Sequence, residues 1–207
     1  MQMTFFLNLL LLLITFKTYE SQLIYSFKYY NERITFLCDG SVQEIHSTAE
    51  LGDEGNFFST KNHIHALTIL MFCSPKKKLL CLTPCIYGSV KDDDLFMRTL
   101  PIVAPKLTAE DSGFGDSGFR FNSELRAKIP FHLYTPTGAH NSEEYKNFSK
   151  YRIVAENMLQ VLKMWECLKQ VVREKIKGND KLLENQSKKW MTVGGMERWR
   201  TDGFHDL

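Results

Sequence analysis

Apolar and polar positions fall into blocks along the chain, and the blocks predict several strands followed by one long helix. Phe5 to Phe16 is almost continuously apolar, with Asn8 and Thr15 as its polar members. About a dozen residues is too short to cross a bilayer. The run therefore reads as a buried N-terminal helix, a start created by truncation, or the core of a secretory signal. Tyr19 to Asn31, rich in Tyr, Phe and Ile, either continues a helix or forms a first strand.

Ile34 to Cys38 is a short β-branched and apolar run that stops at Asp39-Gly40, a buried strand ending in a turn. Residues 47–61 are polar and contain Gly, as in a loop. His65 to Cys73 and Lys78 to Cys85 predict two more strands, joined by a turn at Ser74-Pro75-Lys76-Lys77. Gly88-Ser89 breaks the chain before a helix that starts near Asp92, whose early acids suit the helix dipole. Pro101 and Pro105 bound a connecting segment. The tandem Asp111-Ser112-Gly113-Phe114 and Asp116-Ser117-Gly118-Phe119 reads as a Gly-rich turn. Arg120 to Lys128 predicts a short helix, and Pro130 to Glu143 a loop.

From Lys150 to Ile176 the apolar residues recur at helical spacing: Ile153, Val154, Met158, Val161, Leu162, Trp165, Leu168, Val172 and Ile176. Glu156 lies nearly opposite this stripe, beside Arg152 and Lys163. On spacing alone it is a solvated surface carboxylate. After Gly178 the pattern weakens, and Val193-Gly194-Gly195 onward reads as an exposed tail. The chain thus divides into an apolar segment (1–31), a domain (32–178) and a tail (179–207).

Composition refines this picture. The 207 residues suit one domain, and 43% hydrophobic content supports a substantial core. A net charge of +2 does not announce a nucleic-acid binder, although the stretch from Lys146 to Arg200 carries a basic excess. Five cysteines form no disulfide-like framework. Cys81 and Cys85 lack a second Cys/His pair for a metal site, so buried thiols in a reducing compartment are expected.

Asp39, Asp92, Asp116 and Glu156 are widely separated, and spacing alone does not bring them together. Were they to meet, their mutual repulsion would favour a hard divalent cation, Mg²⁺ or Mn²⁺, over four bare charges. Two such ions about 4 Å apart support phosphodiester cleavage.

Motif order sharpens the reading. Asp39-Gly40-Ser41, Phe58-Ser59-Thr60-Lys61 with His65-Ala66-Leu67, Gly88-Ser89-Val90-Lys91-Asp92, Gly115-Asp116-Ser117-Gly118-Phe119 and Arg152-Ile153-Val154-Ala155-Glu156-Asn157 follow one another in the chain. Together with Leu162-Lys163-Met164-Trp165, this series resembles the transposase-derived DDE nucleases of the PIF/Harbinger type. Ser41 stands where that family has Thr, and Lys91 where it often has His. The doubled motif makes Asp111 a rival of Asp116, and Gly115 favours the latter.

The resemblance, over about residues 32 to 175, implies an α/β fold with a ribonuclease-H-like mixed sheet flanked by helices. It implies a metal-dependent DNA endonuclease or transposase-like domain in the nucleus. Asp39, Asp116 and Glu156 would be catalytic and bind two Mg²⁺ or Mn²⁺ ions, with Asp92 a further ligand or an orienting group. Lys61, Arg152 and Lys163 are candidate contacts to DNA phosphates. About 30 mostly apolar residues precede the domain where such transposases carry a helical DNA-binding segment, so a separate DNA-binding partner protein is expected. Two other readings stand beside this one. One is an inactive, domesticated or truncated copy acting as a nuclear binding module. The other is a secreted or membrane-associated protein, suggested by Phe5–Phe16 and the sequons at Asn147 and Asn185.

Overall fold

A computed structural model describes residues 34–46, 54–136, 143–172 and 179–202. The expectations for Phe5–Phe16 and Tyr19–Asn31 lie outside these residues. The sheet is built on β1 (Ile34–Glu44) and β3 (Ile64–Cys73), paired antiparallel from Leu37↔Cys73 to Glu44↔Ala66. From Ala66 onward every residue of β3 is buried, as expected of a strand covered on both faces. On its other edge β3 takes the short β2 (Phe58–Ser59), β4 (Leu79–Leu82) and β5 (Ile86–Tyr87), all antiparallel. On the far side of β1 lie β6 (Ser112–Gly115) and then β7 (His132–Tyr134), both parallel to their neighbours. This mixed sheet flanked by helices is compatible with the ribonuclease-H-like expectation.

Two apolar layers cover the two faces. Leu37, Ile69, Met71 and Phe114 face a cluster completed by the later helices, whereas Phe36, Cys38, Leu70 and Phe72 face a second cluster. Ile34 and Leu37 share a face despite their odd spacing because the β1–β6 register shifts between Ile34 and Phe36. After a single turn, α1 (Glu54–Phe57), α2 (Asp92–Val103) packs on the second face through Leu95, Phe96, Thr99, Leu100 and Val103. Asp92, Asp93 and Asp94 occupy its first turn, where carboxylates complement the exposed N–H groups. Pro101 lies inside α2 rather than in a connection. It withholds an N–H from Met97 within the last turn, a small loss beside the packing of Leu100 and Val103.

Several other expectations are corrected. Pro130–Glu143 contains β7, and the short helix α3 is confined to Ser123–Ala127, capped by Asn122. The predicted helix Lys150–Ile176 is α4 (Glu143–Lys163) followed by the single turn α5 (Glu166–Lys169). Extended backbone at Trp165 separates them. Val172 pairs with Ile45 beside the sheet, and Ile176 is outside the described residues. The face of α4 that packs carries Phe148, Ala155, Met158, Leu159 and Leu162, while Ile153 is 53% exposed. Ile153 drew the predicted stripe sideways; the small Ala155 is what allows close approach to the sheet.

The stretch read as an exposed tail contains α6 (Asn179–Asp202), which buries Leu182, Trp190, Met191 and Val193. It also supplies polar partners. Trp190 Nε1 donates to buried Gln43 Oε1 at 2.9 Å, and the Cys85 N–H donates to Ser187 Oγ at 2.8 Å. Cys38, Cys73, Cys81 and Cys85 are buried and Cys167 is exposed. Among the described residues no helix is long and apolar enough to cross a membrane.

Candidate active site

β1 does not stop at Asp39-Gly40. It runs on to Glu44, paired with β3, because polar Ser41 and Gln43 are accommodated in the interior. What ends there is the parallel ladder with β6, whose last pair is Cys38↔Gly115. Asp39 and Asp116 are each the next residue. Parallel strands point the same way, so their carboxyl ends align and the two aspartates emerge side by side.

The doubled motif divides at this point. Asp111-Ser112-Gly113-Phe114 is not a turn but leads into β6. Gly113 is required there, since a Cβ would run into the ring of fully buried Phe36. Asp116-Ser117-Gly118-Phe119 is the turn, with the Phe119 N–H donating to the Asp116 carbonyl at 3.0 Å. Asp111 accepts from the Thr108 N–H and hydroxyl at 2.8 and 3.1 Å and so serves its own loop.

α4 delivers Glu156. Phe114 stacks on Tyr151 with ring centroids 5.0 Å apart, and this contact holds the helix over the ends of β1 and β6. Arg152, one turn before Glu156, lies among the acids: its Nε donates to Glu156 Oε1 at 2.7 Å, and its Nη1 is 3.9 Å from Asp116 Oδ1. Asp116 Oδ1 also accepts from the Ser117 N–H at 2.7 Å. Burial and then the neighbouring Asp116 charge push the Asp39 carboxyl up to about 6, with Glu156 adding to the rise. The Gly40 N–H and Arg152 oppose it. Burial pushes the Lys163 ammonium down, and its attraction to Asp39 acts the other way. Asp39 therefore senses the charges of both Asp116 and Glu156.

Asp92 is elsewhere. Successive strand residues face opposite sides, so Asp39 points toward α4 and Gly40 toward α2. Asp92 Oδ1 lies 3.6 Å from where a Gly40 Cβ would stand. Its other oxygen accepts from Lys61 Nζ at 3.1 Å. Asp92 lines a cleft of about 660 Å³ together with Lys61, Gly118, Arg120, Glu156 and Lys163. Asp39, Asp116 and Arg152 line a small adjoining pocket. Of the cations read from the sequence, Lys61 and Lys163 border the cleft, while Arg152 sits on the carboxylates. Arg120 and Lys91 also border the cleft and were not singled out; each flanks a motif residue, which is the only signal the sequence offered.

Among the described residues, no three His, Cys, Asp or Glu side chains already form a set poised to hold a metal ion. Two of the three acids are turned toward the Arg152 guanidinium. The donor chemistry nevertheless suits a hard divalent cation: three carboxylates, one of which, Asp39, is pushed upward by burial and by the Asp116 charge.

A mixed sheet with two acids just past the end of a parallel ladder and a third on a flanking helix is compatible with a ribonuclease-H-like core. Residues 38–186 match the family model described as DDE superfamily endonuclease, and the chain belongs to that family. Members of this family generally use divalent metals. Comparison with curated proteins and with solved structures found no match.

Proposed function

We propose that this domain is a PIF/Harbinger-like, metal-dependent DNA endonuclease acting in the nucleus. The observation that carries the reading is the shared ending of the β1–β6 ladder, which sets Asp39 beside Asp116 under the helix that brings Glu156. These three carboxylates would hold the metal, one ion or two. When bound, the metal supplies a Lewis acid and an activated oxygen nucleophile for phosphodiester cleavage.

The chain's own groups do the rest. Asp39 must release its proton before it binds a cation, so competence rises as pH passes about 6. Arg152 neutralises Glu156 and Asp116 while no cation is present and is free to turn to a phosphate once they are engaged. Lys61 and Lys163 border the cleft at positions suited to the sugar-phosphate backbone, fixing its register without reading sequence. A separate DNA-binding protein would supply target choice.

The test is supercoiled DNA with Mn²⁺. Nicking that disappears in Glu156→Gln is expected; nicking unchanged by that substitution overturns the assignment. A protein that binds no Mn²⁺ by calorimetry would instead keep the fold as a nuclear binding module.

A further inference from the structure

We propose that Asp92 is a positioning residue rather than a metal ligand: its carboxylate, seated between Gly40 and Gly118 and held by Lys61, spaces the strand that carries Asp39 from the turn that carries Asp116. The inference rests on reading Asp39, Asp116 and Glu156 as the metal site.

Three observations carry it. The first is parity. Asp39 points to the α4 side of β1, and the Asp92 carboxylate lies on the α2 side, facing Gly40. The charges that act on Asp39 come from Asp116, Glu156 and Arg152. The second is the seat itself. A Cβ on Gly118 would collide with Asp92 Oδ2, so the turn carrying Asp116 can lie this close to α2 only because residue 118 has no side chain. A residue of the turn and a residue of β1 thus meet the same carboxylate from two sides. The third is the clamp around it. Asp92 Oδ2 accepts from Lys61 Nζ at 3.1 Å, which ties the start of α2 to the turn that carries Lys61.

Independent packing holds the same three segments. Phe96, one helical turn after Asp92, lies edge-on to Phe119 with centroids 5.8 Å apart, so α2 touches the Asp116 turn at two places. Lys61 projects from a turn closed by the His63 N–H donating to the Ser59 carbonyl at 2.8 Å. Asp92 is therefore where α2, the end of the β1–β6 ladder and the Lys61 turn are set in register. Its effect on chemistry passes through the spacing of Asp39 and Asp116, and through Lys61 on the cleft wall.

The experiment uses the full chain and Mn²⁺ calorimetry, with thermal melting of the metal-free protein alongside. Asp116→Asn is the control for a ligand and should weaken Mn²⁺ binding at least about 10-fold. Asp92→Asn keeps the size of the side chain and should stay within about 2-fold of the unaltered protein. Gly118→Ala should weaken Mn²⁺ binding by about 10-fold and lower the melting temperature. Asp92→Ala removes the spacer and should weaken Mn²⁺ binding by about 10-fold and lower the melting temperature, as Asp92→Asn should not.

An Asp92→Asn variant as weak as Asp116→Asn makes Asp92 a ligand and overturns the proposal. An Asp92→Ala variant that binds Mn²⁺ and melts like the unaltered protein overturns it as well, because the side chain would then space nothing. Failure of the unaltered protein to bind Mn²⁺ is a different result. It counts against the nuclease reading, while the melting temperature of Asp92→Ala beside that of Asp92→Asn still decides whether Asp92 spaces the two segments.

Discussion

The two copies of Asp-Ser-Gly-Phe are chemically identical and end up with opposite fates. In the first, Ser112 to Phe114 is buried in the middle of the sheet; in the second, Ser117 is exposed and Asp116 half-exposed at the sheet's edge. Phe114 joins the core cluster under α4, and Phe119 joins the one under α2. Nothing local to the tetrapeptide separates them. The difference lies in what each copy meets: the first lies along β1, and the second begins one residue after that ladder ends. Position along a partner strand, rather than propensity, makes one aspartate a loop cap and the other a candidate metal ligand.

The sharpest way to break this comparison is to neutralise each aspartate in turn. Asp116→Asn should lower Mn²⁺-dependent nicking by at least about 100-fold, since it removes a proposed ligand of the metal that supplies the Lewis acid. Asp111→Asn should leave nicking within about 2-fold and cost only part of the Thr108 bonds, roughly 1 kcal/mol in urea unfolding. Equal effects would erase the distinction.

The second test concerns Asp39, the neighbour that defines the edge. Its carboxyl is raised from 3.8 to about 6 in the folded protein. The native state then binds the proton more tightly than the unfolded chain. The resulting stability is present below about pH 4 and lost as pH rises through about 6. Without metal, Asp39→Asn should therefore stabilise the protein at pH 8 by on the order of 3 kcal/mol, with little gain at pH 3.5. Denaturant melts at the two pH values check both the size and the direction. The same substitution should abolish Mn²⁺ binding, which separates stability from function at one residue.

The glycines offer a third contrast. Gly113→Ala drives a methyl group into Phe36, whose ring is packed by Phe72 and Phe131 at centroid distances of 5.8 and 5.3 Å and cannot retreat. The expected cost is about 1–3 kcal/mol of global stability. Gly118→Ala meets only the end of Asp92 and should cost less in a melt, with its main effect on metal affinity. The smallest effect belongs to Arg152. As a largely exposed partner of Glu156 it contributes little to folding, yet it competes with any cation for that carboxylate. Arg152→Ala should tighten Mn²⁺ binding by about 2- to 5-fold while weakening DNA binding in a salt-dependent way.

These contrasts also mark what could be read from the chain. The buried run of β3, the hairpin at Ser74–Lys77 and the acid-rich start of α2 were legible because local chemistry and tertiary role agree there. So was the order of the acids. Three things were not. The continuation of β1 past Gly40 was hidden because Ser41 and Gln43 look like loop residues until the Trp190 indole, far along the chain, satisfies Gln43. β6 was hidden because its glycine fits a neighbouring ring rather than a bend. The weak pattern of α6 concealed a helix that is packed on the core yet also carries buried polar groups, Gln186 and Ser187 among them.

The bond between Gln43 and Trp190 spans 147 positions of the chain. At about 5–20 residues per second, a ribosome that has finished β1 needs roughly ten seconds to deliver the indole that completes it. During that interval Leu79 and Leu82, which α6 meets at Gly194, have no cover, and Gln43 lacks its acceptor's partner. Glu156 emerges well before Trp190, so the three carboxylates can assemble on a nascent chain whose core is still open along one side. Synthesis therefore completes β1 and β4 long before the helix that covers them exists.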